Sequence, residues 1–301
     1  MIHHANCPAC GSENIQSLFQ VTDHTVSNEV FSVWQCNACS LLFTQDIPEQ
    51  DAIGAYYASD DYISHSDTKK GFINRLYHLV RNRTLHLKRR LVINETELLK
   101  GEVLDIGCGT GAFLNNMKQA GWGITGLEPD EAARRKAMEL YAFESLEPGA
   151  LFDLEPGAYN AITMWHVLEH VHDLHGYLQK METLLAPGGK LFIAVPNPTA
   201  YDAKVYGAQW AAYDVPRHLY HFTPQSMERL LTTYNLQLIT CKPMWYDSFY
   251  VSMLSERYSN GKGNIIRACW NGFISNLKAL GNYKRCSSVI YVVGRKLKVE
   301  S

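Results

Sequence analysis

Apolar positions along this chain fall into two periods. Strand-sized apolar runs recur at residues 102–106, 124–127, 159–164, 191–197, 237–240 and 288–294. Between and before them the spacing changes to the helical period. Residues 71–99 carry Leu76, Leu79, Val80, Leu87, Leu91 and Leu98 at mixed three- and four-residue intervals, which predicts an amphipathic helix. Asn94 and Gly101 place its end before the next strand. Further helices are expected from Ala112 onward, after Thr223-Pro224, and over 248–258 and 265–280. Strands alternating with helices predict an α/β chain. Two shorter strands, at 29–36 and 41–43, stand apart near the amino terminus.

Those amino-terminal strands are bracketed by cysteines. Cys7-Pro8-Ala9-Cys10 and Cys36-Asn37-Ala38-Cys39 are two Cys-x2-Cys knuckles with 25 residues between them. Each pair can turn around one ion, and two pairs supply a closed tetrahedral shell of four thiolates. The expectation is a zinc ribbon over residues 1–45 in which the metal is structural, because four sulfurs leave no open coordination position. A redox pair is the other account of a Cys-x2-Cys motif, and two copies flanking short strands argue against it.

The first long-domain strand runs directly into Gly107-Cys108-Gly109-Thr110-Gly111, and a helix follows. Glycines let such a turn approach a ligand closely, and the helix start aims backbone N–H groups at it. The second strand ends in Glu128, 21 positions after Gly107, where a carboxylate can accept both hydroxyls of a ribose. Strand, loop, helix, strand and acid in this order say more than a glycine motif alone. The spacing Gly-x-Gly-x-Gly fits a dehydrogenase poorly.

Asp105-Ile106-Gly107-Cys108-Gly109-Thr110-Gly111 resembles motif I of the class I S-adenosylmethionine (SAM)-dependent methyltransferases, and Glu128 matches their second-strand acid. The turn Ala186-Pro187-Gly188-Gly189-Lys190 is also similar to one in that family, whereas Asn160 stands where the family commonly has Asp. The resemblance implies a Rossmann-like sheet of seven strands, the last antiparallel, over residues 101–301. It implies that Asp105 and the loop 107–111 contact SAM, that Glu128 holds the ribose, and that Pro129, Met164 and Trp165 lie beside the cofactor. Residues 46–100 are then a helical linker and active-site lid, including the aromatic and acidic stretch 60–65, and 247–282 a helical insertion.

Methyl transfer from SAM needs an aligned nucleophile and, for many acceptors, a group that removes a proton. Histidine suits that task near neutral pH. His166 and His170 follow the fourth expected strand, four residues apart and so able to share one helical face. A second cluster, 210–222, follows the fifth strand and holds Tyr213, Asp214, Arg217, His218 and His221. His218 is the first candidate for the base and His166 the second. His170, Tyr213, Asp214, Arg217 and His221 are candidates for orienting the acceptor, although each also has a plain structural reading. His166-Val167-Leu168-Glu169-His170 resembles the Glu-x-x-Glu-His element of metal-assisted O-methyltransferases of the ubiquinone pathway and of RNA ends. Glu169 and His170 match and the first Glu is replaced. A second divalent metal completed by His218 or His221 is therefore an open alternative.

Composition narrows the field less. The 301 residues are 46% hydrophobic and 19% charged, with a formal charge of −2, which gives no general attraction to nucleic acid or an anionic membrane. Lys88-Arg89-Arg90 reads as the solvated side of a helix. No run reaches the ~20 apolar residues of a membrane span, and the amino terminus lacks the features of a secretory signal. With no disulfide pattern among the eight cysteines, a reducing cytoplasmic setting is expected. The ribbon-plus-methyltransferase arrangement also resembles bacterial sugar-nucleotide C-methyltransferases. The run 210–222 is more similar to small-molecule enzymes of cell-surface and secondary-metabolite pathways. The leading expectation is methylation of a small molecule, with RNA or protein methylation and a non-catalytic SAM-binding role as rivals. Tyr246, Phe249, Tyr250, Trp270 and Phe273 in the insertion are expected to pack in the core, cover the acceptor or support a homodimer.

Overall fold

A computed structural model describes the backbone of residues 1–58 and 72–296, and their side chains except those of 72–79 and 260. The stretch 60–65 of the expected lid lies outside the described residues.

The amino-terminal module is built on β1 (Ile15–Thr22), β2 (Val30–Cys36) and β3 (Leu42–Thr44), all antiparallel. The N–H of Gly11 donates to the Cys7 carbonyl and that of Ser40 to the Cys36 carbonyl, both at 2.9 Å, which closes each knuckle. All four Sγ atoms lie within 4.8 Å of one another. Cys7 and Cys39 are 3.6 Å apart and Cys10 and Cys36 are 3.7 Å apart. A tetrahedron with metal–sulfur bonds of roughly 2.3 Å has edges of roughly 3.8 Å, so the cluster fits a zinc ribbon. β1 escapes a reading of hydrophobic pattern because it is an outer strand with Gln16, Ser17 and Leu18 exposed.

The main domain follows as α1 (Phe72–Thr96), β4 (Glu102–Ile106), α2 (Ala112–Gln119), β5 (Gly123–Leu127), α3 (Glu131–Tyr141), β6 (Tyr159–Trp165), α4 (Leu174–Leu184), β7 (Leu185–Pro196), α5 (Tyr201–Tyr206), β8 (Tyr220–His221), α6 (Pro224–Thr232), β9 (Leu236–Pro243), α7 (Asp247–Asn260), α8 (Ile265–Ala279) and β10 (Ser288–Arg295). Six of these strands form one sheet in the order β5-β4-β6-β7-β10-β9. β10 is antiparallel to both neighbours, as expected of the last strand.

The sheet has six strands, not seven. Where the third strand is expected after α3, the chain makes a single parallel bridge, Leu127 to Leu146, and turns at Pro148 into a 3₁₀ segment. Ala142 leaves α3 in the left-handed conformation and Pro148, without an N–H, opens the 3₁₀ segment, and the stretch between them pairs only at Leu146. Asn160 replaces the common Asp without loss of contact, because its Oδ1 accepts the Glu102 N–H at 2.9 Å. The turn 186–189 falls inside β7 as an irregularity between the pairs Tyr159↔Leu185 and Ala161↔Lys190.

Alternate residues of each strand face opposite cores, as in a sheet covered on both sides. Leu104, Ile162, Leu191, Ile193 and Tyr291 join a core that also contains Leu178 of α4 and Leu230 of α6. Val103, Ala161, Phe192, Ala194 and Val292 pack under α1 and α2 through Val92, Leu114 and Met117. Among the described residues no helix is long and apolar enough to cross a membrane.

The ribbon is not a separate bead. Its cysteines belong to the first core, and its sheet is continued by β8, with Leu42 paired to His221 and Phe43 to Tyr220. Its other contacts bury Val21, Phe31 and Val33 against Trp210, Ala211, Tyr213 and Val215. A buried cluster of charges sits in this seam. Arg217, fully buried, donates from Nη2 to Asp23 of the ribbon at 2.8 Å and to Asp214 at 2.7 Å. Its Nε donates to Asp214 at 3.1 Å and its Nη1 to the Tyr56 carbonyl at 2.7 Å. Asp23 is held down at about 2, since the hydrogen bond and charge of Arg217 outweigh its burial. Removing one partner of such a group strands the others. Arg217→Met is expected to lose about 3–5 kcal/mol of stability, read from urea unfolding. An unchanged midpoint would contradict the clamp.

Candidate active site

The carboxyl ends of β4, β5, β6 and β7 meet at one edge of the sheet, where open α/β folds bind ligands. Gly107 and Gly109 have φ of +73° and +55°, conformations that side chains resist. A Cβ at Gly107 would strike Val167 at 2.5 Å, while one at Gly109 would meet nothing within 4 Å, so the turn's outer side is open. Gly111 caps α2, also with positive φ.

Glu128 stands across from this loop. Its Oε2 accepts the Gly109 N–H at 2.8 Å and its Oε1 the Asp130 N–H at 2.9 Å. Burial raises its pKa. Asp130 caps α3, and Arg134 donates to the carbonyls of Glu128 at 2.7 Å and Pro129 at 2.9 Å, which fixes the acid's backbone. Asp105 accepts from Thr163 Oγ1 at 2.6 Å, and burial pushes its carboxyl up to about 7. Cys108 is buried with its thiol pushed up by burial, and Thr110 is partly exposed at the turn. Met164 points into the core, not toward the ligand edge. Trp165 packs edge-on to Phe113 at 5.5 Å, and its Nε1 is buried without a hydrogen-bond partner among the described residues.

Two residues reach this place without a motif to announce them. Lys88 of α1, read from sequence as part of a solvated face, instead sits 4.4 Å over the Trp165 ring, near the charges of Asp105 and Asp247. Burial lowers its pKa. The signal was present: Lys88 shares a stripe with Leu85 and Val92, three and four residues away, which pack on the second core. Asp247 starts α7 and pairs with His166 across 81 positions of sequence, where no local pattern links them.

The histidines divide by environment. His166 does not share a helical face with His170: it has φ of +59°, and residues 168–170 form only a 3₁₀ turn. His166 Nε2 lies 2.9 Å from Asp247 and its Nδ1 3.4 Å from Glu169. Burial alone would lower its pKa, but the two carboxylates raise it to about 10. His170 is driven down to about 4, by burial first and then by the nearby His218. Its Nδ1 is 3.0 Å from the Arg217 carbonyl and 2.9 Å from the Tyr57 hydroxyl. His218 Nδ1 lies 2.8 Å from the Ala212 carbonyl. A carbonyl only accepts, so both rings carry a proton on Nδ1, and His170, with its pKa lowered to about 4, keeps its lone pair on Nε2. The two rings are 4.6 Å apart, and Glu169, His170 and His218 bring one ligand atom each within 4.8 Å of the others. Glu169 is fully buried, and neither of its oxygens accepts a hydrogen bond among the described residues.

The remaining members of the second cluster support it. Thr44 of β3 donates to the His218 carbonyl at 2.7 Å and accepts from His221 Nε2 at 3.2 Å. His221 is buried, with its pKa far below the usual value, and Tyr213 packs against it at 5.1 Å. Both therefore tie the loop to the ribbon. Asp214 is held by Arg217 with one oxygen 3.9 Å from His218 Nε2.

The family model described as a methyltransferase domain matches residues 77–241, more than half of the chain. The chain is a class I SAM-dependent methyltransferase. It is 31% identical over 172 residues to the ubiquinone biosynthesis O-methyltransferase of Cupriavidus pinatubonensis, covering 52% of this chain and 67% of that protein. The corresponding protein of Xanthomonas euvesicatoria is also 31% identical, over 171 residues, with 52% and 71% covered. The magnesium protoporphyrin IX methyltransferase of Synechocystis, solved with S-adenosylhomocysteine, shares the fold at a TM-score of 0.51 and 14% identity, over 80% of this chain and 97% of that one.

SAM supplies an activated methyl group, and the open glycine turn, the Glu128 carboxylate and the orphaned Trp165 Nε1 fit its polar parts. Glu128→Ala is expected to weaken SAM binding about 10- to 100-fold by calorimetry, since charged hydrogen bonds are worth about 1.5–3 kcal/mol. His166 yields a pH test. Its folded pKa near 10 exceeds the unfolded value, so its contribution to stability is full below the unfolded pKa of about 6.5 and fades as pH rises through 10. Wild-type denaturation midpoints should therefore fall over that window relative to His166→Gln, and parallel curves would refute the paired imidazolium.

Proposed function

We propose that the chain transfers the SAM methyl group to a hydroxyl oxygen of a small molecule, at a site where Glu169, His170 and His218 hold a divalent cation. The observation that carries this is the buried Glu169 carboxylate, paired with His166 at 3.4 Å but accepting no hydrogen bond among the described residues, beside two imidazoles whose Nδ1–H groups are taken by backbone carbonyls. Metal-binding histidines regularly donate their other nitrogen to a backbone carbonyl, as both do here. Imidazole and carboxylate suit a divalent ion. When bound, such a cation would lower the pKa of an acceptor hydroxyl. The relatives named as O-methyltransferases support oxygen as the acceptor atom. The ribbon holds a second, structural zinc through Cys7, Cys10, Cys36 and Cys39.

The chain's own groups have separable roles. Glu128 and the 107–111 turn hold the nucleoside and methionine parts of SAM. His166, a cation between Asp247 and Glu169, has no lone pair to accept a proton and acts as a fixed positive charge. His170, protonating only near 4, is too weak a base and acts through its lone pair as a ligand. Thr44 fixes the backbone that carries His218, and the Arg217 carbonyl orients the His170 ring. One observation favours a second reading in which His218 takes the acceptor proton directly: Asp214 lies 3.9 Å from its Nε2 and would stabilise the imidazolium.

The first experiment is to incubate zinc-loaded protein and labelled SAM with a metabolite extract and identify the labelled product. A labelled macromolecule and no labelled small molecule would overturn the acceptor class. Metal analysis should find one divalent ion beyond the ribbon's zinc, and Glu169→Gln should lose it. Turnover that survives removal of that ion assigns the proton to His218 alone. In either case His218→Ala should keep SAM affinity within about twofold and slow transfer by at least about 100-fold. Near-normal turnover would remove His218 from the chemistry.

A further inference from the structure

The two helices between β9 and β10 are packed the wrong way round for a water-facing pair. α8 buries Ala268, Asn271, Gly272, Ser275 and Ala279, its small and polar residues. Gly272 makes this contact close, since a Cβ there would lie 2.8 Å from Phe249 of α7. Asn271 donates to the Tyr206 hydroxyl at 2.9 Å and Ser275 to Asp202 at 2.6 Å, so the polar face is fully used inside. α7 likewise buries Ser248, Ser252, Ser255 and Glu256.

The large apolar side chains of α8 point outward instead. Ile266 is 80% exposed and Trp270 62%, and Phe273, Leu277 and Leu280 are exposed with them. Positions 266, 270, 273 and 277 form one stripe of helical period. Of the three expectations for the aromatics of this insertion, core packing does not hold for Trp270 and Phe273. Tyr246 and Met253 extend exposed apolar surface along α7, whose first residue is Asp247, the partner of His166. Exposed apolar surface of this extent marks a docking face.

The charges beside the stripe have one sign. From Arg257 to Arg285 the chain has Arg257, Lys262, Arg267, Lys278, Lys284 and Arg285 and no Asp or Glu, within a protein whose total is −2. Arg267 pairs with Glu256 and Lys284 with Glu228, which leaves four of these cations without an acidic partner among the described residues. A twofold dimer through this face would set the same cations against each other. An anionic surface would meet them.

We infer that α8 and the adjoining face of α7 dock on an anionic lipid surface, with the Ile266–Trp270–Phe273–Leu277 stripe in the acyl–headgroup boundary and the flanking Lys and Arg on lipid phosphates. An exposed stripe of aromatic and aliphatic residues bordered by basic residues is suited to lie on a bilayer without spanning it. Basic residues near such a surface add attraction that salt screens. The inference stands apart from the identity of the acceptor.

The test is co-sedimentation of the full, zinc-loaded chain with phosphatidylcholine vesicles and with vesicles containing about one-third phosphatidylglycerol. Partitioning should rise at least about tenfold with the anionic lipid and fall with added salt. The double variant Ile266→Ser/Trp270→Ser should lose at least about tenfold of it, with melting temperature and SAM affinity unchanged. Absence of the protein from anionic vesicle pellets would overturn the inference. So would a wild-type dimer, seen by analytical ultracentrifugation, that the double variant dissociates while neither form binds vesicles.

Discussion

A guanidinium buried between two carboxylates ties the rest of this molecule together. Arg217 has no access to water, so its hydrogen bonds must be made by protein groups, and they come from three places: Asp23 in the ribbon, the Tyr56 carbonyl in the connecting segment and Asp214 in the loop after α5. Burying a charge is tolerable only if all of these are present together. The loop therefore cannot take its shape unless the ribbon is folded and docked. β8 then extends the ribbon sheet, and Thr44 fixes the His218 carbonyl. The ribbon that the four cysteines close is thus one wall of the 210–222 loop.

The same dependence sets the surroundings of each histidine. His166, His170 and His218 have three different surroundings: two carboxylates for His166, burial beside another imidazole for His170, and a carbonyl and a more distant carboxylate for His218. Residue type gives all three the same intrinsic chemistry. Neighbours drawn from α7 and the 210–222 loop separate them into a held cation, a neutral imidazole and a ring oriented through its Nδ1–H.

An averaged quantity hides local features of the surface. The overall charge of −2 suggests indifference to anionic surfaces, yet the segment around α8 has only basic charges. Amphipathic periodicity alone does not say which face of a helix is buried. Here the small face is chosen because Asp202 and Tyr206, both interior, accept hydrogen bonds from Ser275 and Asn271. Satisfying those polar groups outweighs hiding Ile266 and Trp270.

What the sequence determined by itself is the chemistry carried by neighbours along the chain. The glycine turn and Glu128 meet because a strand, a helix and a strand of ordinary length bring position 128 back beside position 109. The knuckles close because two residues between cysteines suffice for the turn, and β4, β6, β7 and β10 are legible because both faces are buried and their apolar runs are continuous. Only the tertiary structure decided the inward turn of Lys88, the pairing of His166 with Asp247 and the gathering of Glu169, His170 and His218. These depend on groups 47 to 194 positions apart, as with His170 and the Arg217 carbonyl or Arg217 and Asp23. Hydrogen bonds and desolvation act through space, and no spacing rule along the chain encodes them.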